Sequence, residues 1–236
     1  MMGWLTNVLA QCFASIKKVE KVFDEEPAIK NCKNPIVLDE VKGHVEFRNV
    51  SFEFDSVPVL KDVNIDAKPG STVAIMGITG AGKSSLTNLI GRYYDCSDGN
   101  VLFDGIDVKE MDLFQLRKSV SSVMQETFLF SDTIEENIRF GTEDVSDEEF
   151  MAACKDSMVD EFVSEMPEGY QTVIGERGLG LSGGQKQRIS IARALVRKAA
   201  VLIMDDSTSA LDMETEYAIQ KAMERRKGST CFIIAH

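Results

Sequence analysis

Apolar and polar positions alternate with different periods along the chain, and the changes of period divide it into segments. In residues 1–26, apolar side chains recur every three or four positions, which predicts one helix. Pro27 and Pro35 interrupt this pattern, so residues 27–44 are predicted to be a linker. From Val45 to Phe54 β-forming residues predominate, with an irregularity at Asn49, which predicts a strand.

Three short apolar runs, at 72–76, 201–204 and 231–234, are typical of buried strands in a parallel sheet. A further predicted strand, 120–124, ends at Gln125. Segments 84–92 and 182–198 each follow a glycine-containing loop and are predicted to be helices. Strands and helices in this order predict an α/β domain that begins near residue 45.

Residues 127–181 carry helical signals. Thr133 and Ser146 each precede a glutamate by three positions, which is the pattern of a capping box at a helix start. Five apolar side chains then lie four positions apart and predict one helical stripe in the core: Phe150, Cys154, Met158, Phe162 and Met166. We therefore predict a helical insertion of about 127–181 within the sheet domain.

Composition narrows the class of protein. A chain of 236 residues is long enough for one well-buried domain with a subdomain. Its net charge of −12, from 38 acidic and 26 basic residues, argues against a nucleic-acid partner held by a basic face. The five cysteines include no C-x-x-C pair and are predicted to be reduced thiols in a cytosolic compartment. The longest uncharged run, 1–16, is too short and too polar to span a bilayer.

The loop between the 72–76 strand and the following helix is the first candidate binding site. Its glycines allow successive backbone N–H groups to point at phosphate oxygens, and the helix start adds its positive dipole end. The lysine reaches the β- and γ-phosphates and the serine hydroxyl ligates Mg²⁺. The alternative is a glycine-rich turn that arose by chance, and such a turn would not be expected to lie between a strand and a helix. We therefore predict an ATP- and Mg²⁺-binding loop made of Gly77, Ile78, Thr79, Gly80, Ala81, Gly82, Lys83, Ser84 and Ser85.

Asp205 ends the apolar run 201–204 about 120 residues after this loop. Parallel strands present their carboxyl ends to one crevice, so Asp205 is predicted to meet the metal held by Ser84. The alternative is an ordinary acidic residue at a strand end. Because the phosphate-binding loop is present, we favour the metal site.

The segment Leu181-Ser182-Gly183-Gly184-Gln185 resembles the signature loop of ABC-type ATPases, and the resemblance covers about 45–236. It implies a P-loop NTPase core sheet with an antiparallel β subdomain and a helical signature subdomain. Gln125 matches the Q-loop, residues 209–212 the D-loop and His236 the switch histidine of that family. Gly175-Glu176-Arg177-Gly178 is similar to the loop that precedes the signature in exporters.

The family resemblance also implies roles for single residues. Asp206, His236 and Gln125 would be catalytic, and Ser84, Gln125 and Asp205 would arrange Mg²⁺. Ser182, Gly183, Gly184 and Gln185 would bind the γ-phosphate of ATP held by a second copy. From the residues alone, a signature loop at a helix start is an anion site, and a capped surface helix explains the serine and glutamine but not two adjacent glycines.

Phe54, an aromatic residue that precedes the loop in the chain, has two possible roles. Phe54 falls where the family places an aromatic ring against adenine, and the alternative is a core phenylalanine. Tyr93 and Tyr94 end the predicted 84–92 helix and are predicted to pack. His44 has no constellation around it in the sequence and is predicted to be a plain strand-entry residue.

Partners follow from the same resemblance. Residues 1–26 resemble the end of the last transmembrane helix of a fused half-transporter, and this implies a membrane domain in the same parent chain. The expected location is the cytoplasmic face of the cell membrane, and the family's further sheet and C-terminal helix imply that the sequence is truncated after His236. The expected partner is a second ABC half, either the same chain or, as we favour, a different one.

One residue departs from the family pattern. Asp206 stands where a glutamate normally polarises the attacking water. The leading interpretation is the ATP-hydrolysing domain of an exporter, and the alternative is a regulatory half with negligible turnover that completes a partner's site, as in heterodimeric bacterial exporters. A soluble ABC protein that acts on DNA or ribosomes is disfavoured by the acidic composition and by the N-terminal helix.

Overall fold

The computed structural model describes residues 2–142, 144–205, 210–225 and 228–235. The first of its two compact units, residues 1–30, contains the helix α1 (Met2–Phe23). Several apolar side chains of α1 are exposed, among them Trp4, Phe13 and Phe23. Within the described ranges, no helix is both long enough and apolar enough to cross a bilayer.

The second unit, residues 31–236, contains two sheets and seven α-helices among its described residues. The strands are β1 (Val45–Phe54), β2 (Val57–Ala67), β3 (Thr72–Met76), β4 (Asp98–Phe103), β5 (Ile106–Asp107), β6 (Val120–Val123), β7 (Val201–Asp205) and β8 (Thr230–Ala235). The helices are α2 (Lys83–Ile90), α3 (Leu113–Lys118), α4 (Ile134–Arg139), α5 (Asp147–Asp156), α6 (Val159–Val163), α7 (Gly183–Val196) and α8 (Met213–Arg225).

One sheet is antiparallel, with the strand order β2-β1-β4-β5. The irregularity predicted at Asn49 is confirmed, because Asn49 has a positive φ of 51° and the register of β1 shifts between Phe47 and Val50. The amide of Asn64 accepts a hydrogen bond from the Asn49 N–H at 2.9 Å, so the bulge is fixed by a side chain of β2.

The other sheet is parallel, with the strand order β3-β8-β7-β6. Its strands correspond to the three apolar runs and to the further strand, 120–124, predicted from the sequence. Because all four run in the same direction, the segments that follow them begin at one edge of the sheet. The predicted α/β class, with a core sheet and an antiparallel sheet, is confirmed.

Two hydrophobic cores hold these layers. One joins the antiparallel sheet, α2 and the parallel sheet, and its fully buried members include Phe47, Leu89, Phe103 and Phe232. The other lies among α4, α5, α6 and α7 and includes Leu129, Ile134, Phe150 and Ile189. Since α2 belongs to the first core, the loop that precedes it is attached to a rigid base.

The single helical stripe predicted for 150–166 is wrong. The chain ends α5 at Asp156, turns at Met158, which has a positive φ of 59°, and starts α6 at Val159. The Ser157 hydroxyl donates to the Ala153 carbonyl at 2.8 Å, which closes the end of α5. Phe150, Cys154 and Phe162 are buried nonetheless, so the core role of these side chains is confirmed across two helices.

A glycine in β4 offers a test of this packing. Gly99 has a φ of +76°, and a Cβ atom there would lie 2.3 Å from the Asn49 carbonyl oxygen and 2.4 Å from that of Arg48. We expect Gly99→Ala to lower the free energy of unfolding by about 3 kcal/mol or more, because the clash adds to the backbone strain. Urea unfolding followed by circular dichroism measures this loss.

The matched control is Gly70→Ala. Gly70 has a similar φ of +72°, but a Cβ atom there would meet nothing within 4 Å. Its loss should be about 1 kcal/mol, from the left-handed conformation alone. Equal losses in the two variants would show that the close approach of β1 to β4 does not matter.

Candidate functional site

The loop 77–82 connects β3 to α2 and curls back over the lysine that starts the helix. The Lys83 ammonium donates to the carbonyls of Gly77 at 2.6 Å and Ile78 at 3.1 Å. The Ala81 N–H donates to the Ile78 carbonyl at 3.2 Å, which closes a turn inside the loop. Lys83 is 8 % exposed, so its cationic head is held within the loop rather than in bulk water.

The start of α2 suits a phosphate group. In the part of the chain that the structure describes, no side chain caps the helix, and Gly82 at the N-cap position has a left-handed φ of 84°. Its first-turn N–H groups and dipole are therefore available to an anion. Ser84 is exposed in this first turn, so its hydroxyl can reach a ligand. The residues of this loop fit a nucleoside triphosphate.

Asp205 ends β7 at the same edge of the parallel sheet. It pairs with Ile234 of β8, and Ile234 in turn pairs with Ile75 of β3. Adjacent strands are about 4.8 Å apart, so the backbones at Ile75 and Asp205 are about 10 Å apart. Gln125 follows β6, the neighbour of β7 on its other side, and is exposed. The topology thus brings the loop, Asp205 and Gln125 to one crevice.

The oxygen groups at this edge suit a magnesium ion. Ser84, Asp205 and Gln125 offer a hydroxyl, a carboxylate and an amide oxygen, the hard ligands that Mg²⁺ prefers. Asp206, Ser209 and His236, which the sequence analysis also assigned to the site or to the D-loop, lie outside the described residues. Their roles remain predictions from the sequence.

The signature segment opens α7. The Gln185 N–H donates to the Ser182 hydroxyl at 3.2 Å, and the Ser182 N–H donates to the Gln185 side-chain oxygen at 2.9 Å, which completes a capping box. Ser182, Gly183 and Gly184 are each exposed or partly exposed around this helix start. A helix start with small, accessible residues suits an anion.

The structure also gives Gly184 a packing role that the sequence did not reveal. A Cβ atom at Gly184 would lie 3.1 Å from the Ala210 carbonyl oxygen, and one at Gly183 would lie 3.5 Å from the Ala210 side chain. The Ala210 N–H donates to the Gln187 side-chain oxygen at 3.0 Å. The first turn of α7 therefore holds the segment 210–212 that precedes α8.

Phe54 lies at the end of β1 and is 50 % exposed. The alternative of a core phenylalanine is therefore wrong. Phe54 pairs with Val57 of β2, and a Cβ atom at Gly82 would lie 2.9 Å from Val59 of the same strand. The β1–β2 hairpin thus lies against the phosphate-binding loop, where an exposed ring is open to a base.

Two polar side chains that were not predicted from the sequence, partly buried Arg193 and buried Asn137, hold the segment after Gln125. Arg193 on α7 donates to the carbonyls of Phe128 at 2.8 Å and Asn137 at 2.7 Å. The Asn137 amide accepts from the Phe130 N–H at 2.8 Å and donates to the Phe130 carbonyl at 3.0 Å. No local sequence motif predicts this network, because Arg193 and Asn137 lie 56 residues apart along the chain.

His44 directly precedes β1, as predicted for a strand-entry residue, and the structure adds charged neighbours that the sequence did not reveal. Its Nε2 lies 2.6 Å from the Asp66 carboxylate, and its Nδ1 lies 3.9 Å from Glu46. The hydrogen bonds from His44 and then from Lys68 hold the pKa of Asp66 below its ordinary value. Arg48 pairs with Glu46 at 2.7 Å, so this is a surface ion-pair cluster on β1 and β2.

Comparison with known proteins agrees with this geometry. A family model described as "ABC transporter" matches residues 60–209. The chain is 42% identical over 233 residues to an ATP-dependent lipid A-core flippase of Syntrophus aciditrophicus (strain SB), covering 98% of this chain and 39% of that protein. It is 45% identical over 234 residues to the putative multidrug export ATP-binding/permease protein YgaD of Bacillus subtilis (strain 168), covering 98% and 40%.

A solved structure described as a bacterial Atm1-family ABC exporter with ATP bound superposes on the chain with a TM-score of 0.90 and 36% identity. The match covers 100% of this chain and 42% of that one. The chain therefore spans about two fifths of the length of these relatives. With the loop, the strand-end aspartate and the signature helix in place, the chain belongs to the ABC transporter family, of which it is a nucleotide-binding domain.

Proposed function

We propose that this domain binds and hydrolyses Mg·ATP and thereby drives export by a membrane domain of its parent protein. The observation that carries the proposal is the common edge of the parallel sheet, where the loop 77–84, Asp205 and Gln125 meet. The similarity to a flippase, a multidrug export protein and an ABC exporter supports the export step.

Each site residue at this edge of the sheet has its own proposed role. Lys83 and the loop amides hold the phosphates, and Ser84, Gln125 and Asp205 would hold Mg²⁺. When bound, the ion neutralises charge that develops on the β- and γ-phosphates. Gln125 and the carboxylate of Asp206 orient the attacking water, and His236 contacts the γ-phosphate. Phe54 stacks on the base.

A second copy of an ABC domain completes the site in this proposal. The helix start at Ser182 would bind the γ-phosphate of the ATP held by the opposite domain, so that two ATP molecules lie between the two domains. The capping box supports this role because it fixes the Ser182 hydroxyl at the helix start. We favour a different chain as the partner, because Asp206 weakens the site on this chain's own loop. The protein would lie at the cytoplasmic face of a membrane.

The experiment is ATP turnover at increasing concentrations of the 236-residue chain, with and without Mg²⁺. A shared site predicts that the rate per molecule rises with concentration until the dimer is saturated, and that it vanishes without the metal. A rate per molecule that is independent of concentration would contradict the shared site. Binding of ATP without turnover at any concentration would favour the second candidate below.

The second candidate is a regulatory half that uses ATP to hold the dimer together and has negligible turnover of its own. Asp206 favours it, because its carboxylate is one methylene shorter than that of the glutamate found in the family. Single-turnover kinetics with excess domain separate the two functions, since a regulatory half would retain intact ATP through the measurement.

Ser182→Ala tests the signature helix. We expect a loss of about 1 kcal/mol in the free energy of unfolding, from the missing cap, together with a fall in dimer-dependent ATP turnover of roughly tenfold or more. Ser146→Ala is the matched control, because Ser146 forms the same capping box at the start of α5. It should lose the same stability and keep its turnover. Equal turnover in the two variants would remove Ser182 from the site.

A further inference from the structure

Among the described residues, the exposed ring of Phe54 has one close aromatic neighbour, Tyr94. From the sequence, Tyr94 was predicted only to pack. The Tyr94 ring lies 5.8 Å from the Phe54 ring at an angle of 85°, an edge-to-face arrangement. The same ring lies 5.6 Å from Phe52, which is buried. Tyr94 therefore connects an exposed ring at the end of β1 to the hydrophobic core.

Phe54 needs such a support because of its position. It is followed by Asp55 and Ser56, both with positive φ angles of 49° and 65°, which reverse the chain into β2. A side chain at the end of a hairpin, half exposed, has several rotamers open to it unless a neighbour restricts them. The edge of Tyr94 is that neighbour.

Tyr94 is itself fixed from both sides. On the N-terminal side, the Tyr93 N–H donates to the Asn88 carbonyl at 3.0 Å, and buried Arg92 pairs with Asp95 at 2.8 Å. On the C-terminal side, the Ser97 N–H donates to the Ser51 carbonyl at 2.9 Å.

The same serine ties the segment to β1 a second time, since the Ser97 hydroxyl accepts from the Glu53 N–H at 3.0 Å. The segment that carries Tyr94 is thus bound to the end of α2 and to the strand that carries Phe54. Since α2 begins at Lys83, the position of the Phe54 ring is tied to the phosphate-binding loop.

We infer that Tyr94 is a positioning residue that holds the Phe54 ring in the orientation that stacks on the base of a bound nucleoside triphosphate. The inference rests on the proposed ATP site. Tyr94 contacts the Phe54 ring, so its contribution lies in ordering that ring before the nucleotide binds. Its ring is required and its hydroxyl is not. The effect is confined to ligands that carry a base.

The test is calorimetric titration of the 236-residue chain with Mg·ATP and, separately, with Mg·tripolyphosphate, which has the phosphates but no base. Tyr94→Leu should weaken ATP binding about three- to tenfold, the range expected for one lost aromatic pair. Tyr94→Phe should bind ATP within about twofold of the unmodified chain. Tripolyphosphate should bind all of these chains equally.

Two further variants serve as a control and as a test of the Phe54 ring itself. Tyr93→Leu is the matched control, because Tyr93 is exposed to a similar degree, 44 % against 41 %, and its ring faces the guanidinium of Arg117 at 5.1 Å. It should leave both affinities unchanged. Phe54→Ala should weaken ATP binding about tenfold, and adding Tyr94→Leu to it should weaken binding no further, since both changes remove one stacking platform.

The outcomes separate this inference from the proposed site. If Phe54→Ala weakens ATP binding and Tyr94→Leu does not, Tyr94 has no positioning role and the ATP site stands. If Tyr94→Leu weakens ATP and tripolyphosphate equally, its effect comes through the fold and the inference is wrong. If Phe54→Ala binds ATP normally, no ring is being positioned. If the unmodified chain binds neither ligand, the ATP site fails and the inference fails with it.

Discussion

Lys83→Met should lower the ATP turnover of the domain by roughly 10²–10³-fold, the range seen when one charge-stabilising donor is removed from an active site. The ammonium of Lys83 donates to the carbonyls of Gly77 and Ile78, beside the start of α2 where the phosphates are proposed to bind. Methionine keeps most of the aliphatic stem, which is buried, and removes the charge. Steady-state phosphate release at saturating Mg·ATP measures the change.

The control for this variant is Lys155→Met. Lys155 is exposed on α5, a helix of the second hydrophobic core, so the substitution removes the same charge from the same acidic protein outside the core that carries the loop. Its turnover should stay within about twofold of the unmodified chain. A Lys83 variant that keeps its activity would exclude the loop 77–84 as the phosphate site, whatever the family resemblance implies.

The parallel sheet and the turn in the loop 77–82 could be predicted because their signals are local. The apolar runs at 72–76 and 201–204 predict buried strands, and both are strands of the parallel sheet. Parallel strands share the direction of their ends, so the sequence also indicated that Asp205 and the loop meet at one edge. The conformations of Gly80 and Gly82, with φ angles of 83° and 84°, agree with the turn that the loop requires.

Features that depend on contacts between distant residues could not be predicted. The break at Met158 is one, since four-residue spacing of apolar side chains suits one long helix as well as two short ones that pack on the same core. The close approach of Ala210 to Gly184 is another, because the two residues come from different elements. Tyr94 belongs to this group, as its ring acquires a partner only when β1 lies beside the segment 95–97.

The glutamate variant of Asp206 gives the second large expected effect. A carboxylate that is one methylene shorter withdraws its oxygens by about 1 Å, and misplacement of that size costs about a hundredfold in rate. We therefore expect Asp206→Glu to raise the turnover of the domain by up to about a hundredfold. Phosphate release measures the gain, at a domain concentration high enough to saturate the proposed dimer.

Asp205→Glu is the matched control, because it makes the same change one residue earlier, at the end of β7. Asp205 is proposed to hold the metal, so a longer side chain there would displace the ion and lower turnover instead of raising it. A gain at 206 with a loss at 205 would assign the two carboxylates to different roles and make this chain the slow half of a two-chain exporter. Brisk turnover of the unmodified domain with no gain at 206 would mean that Asp206 orients water well enough, and a dimer of identical chains would then be the better description.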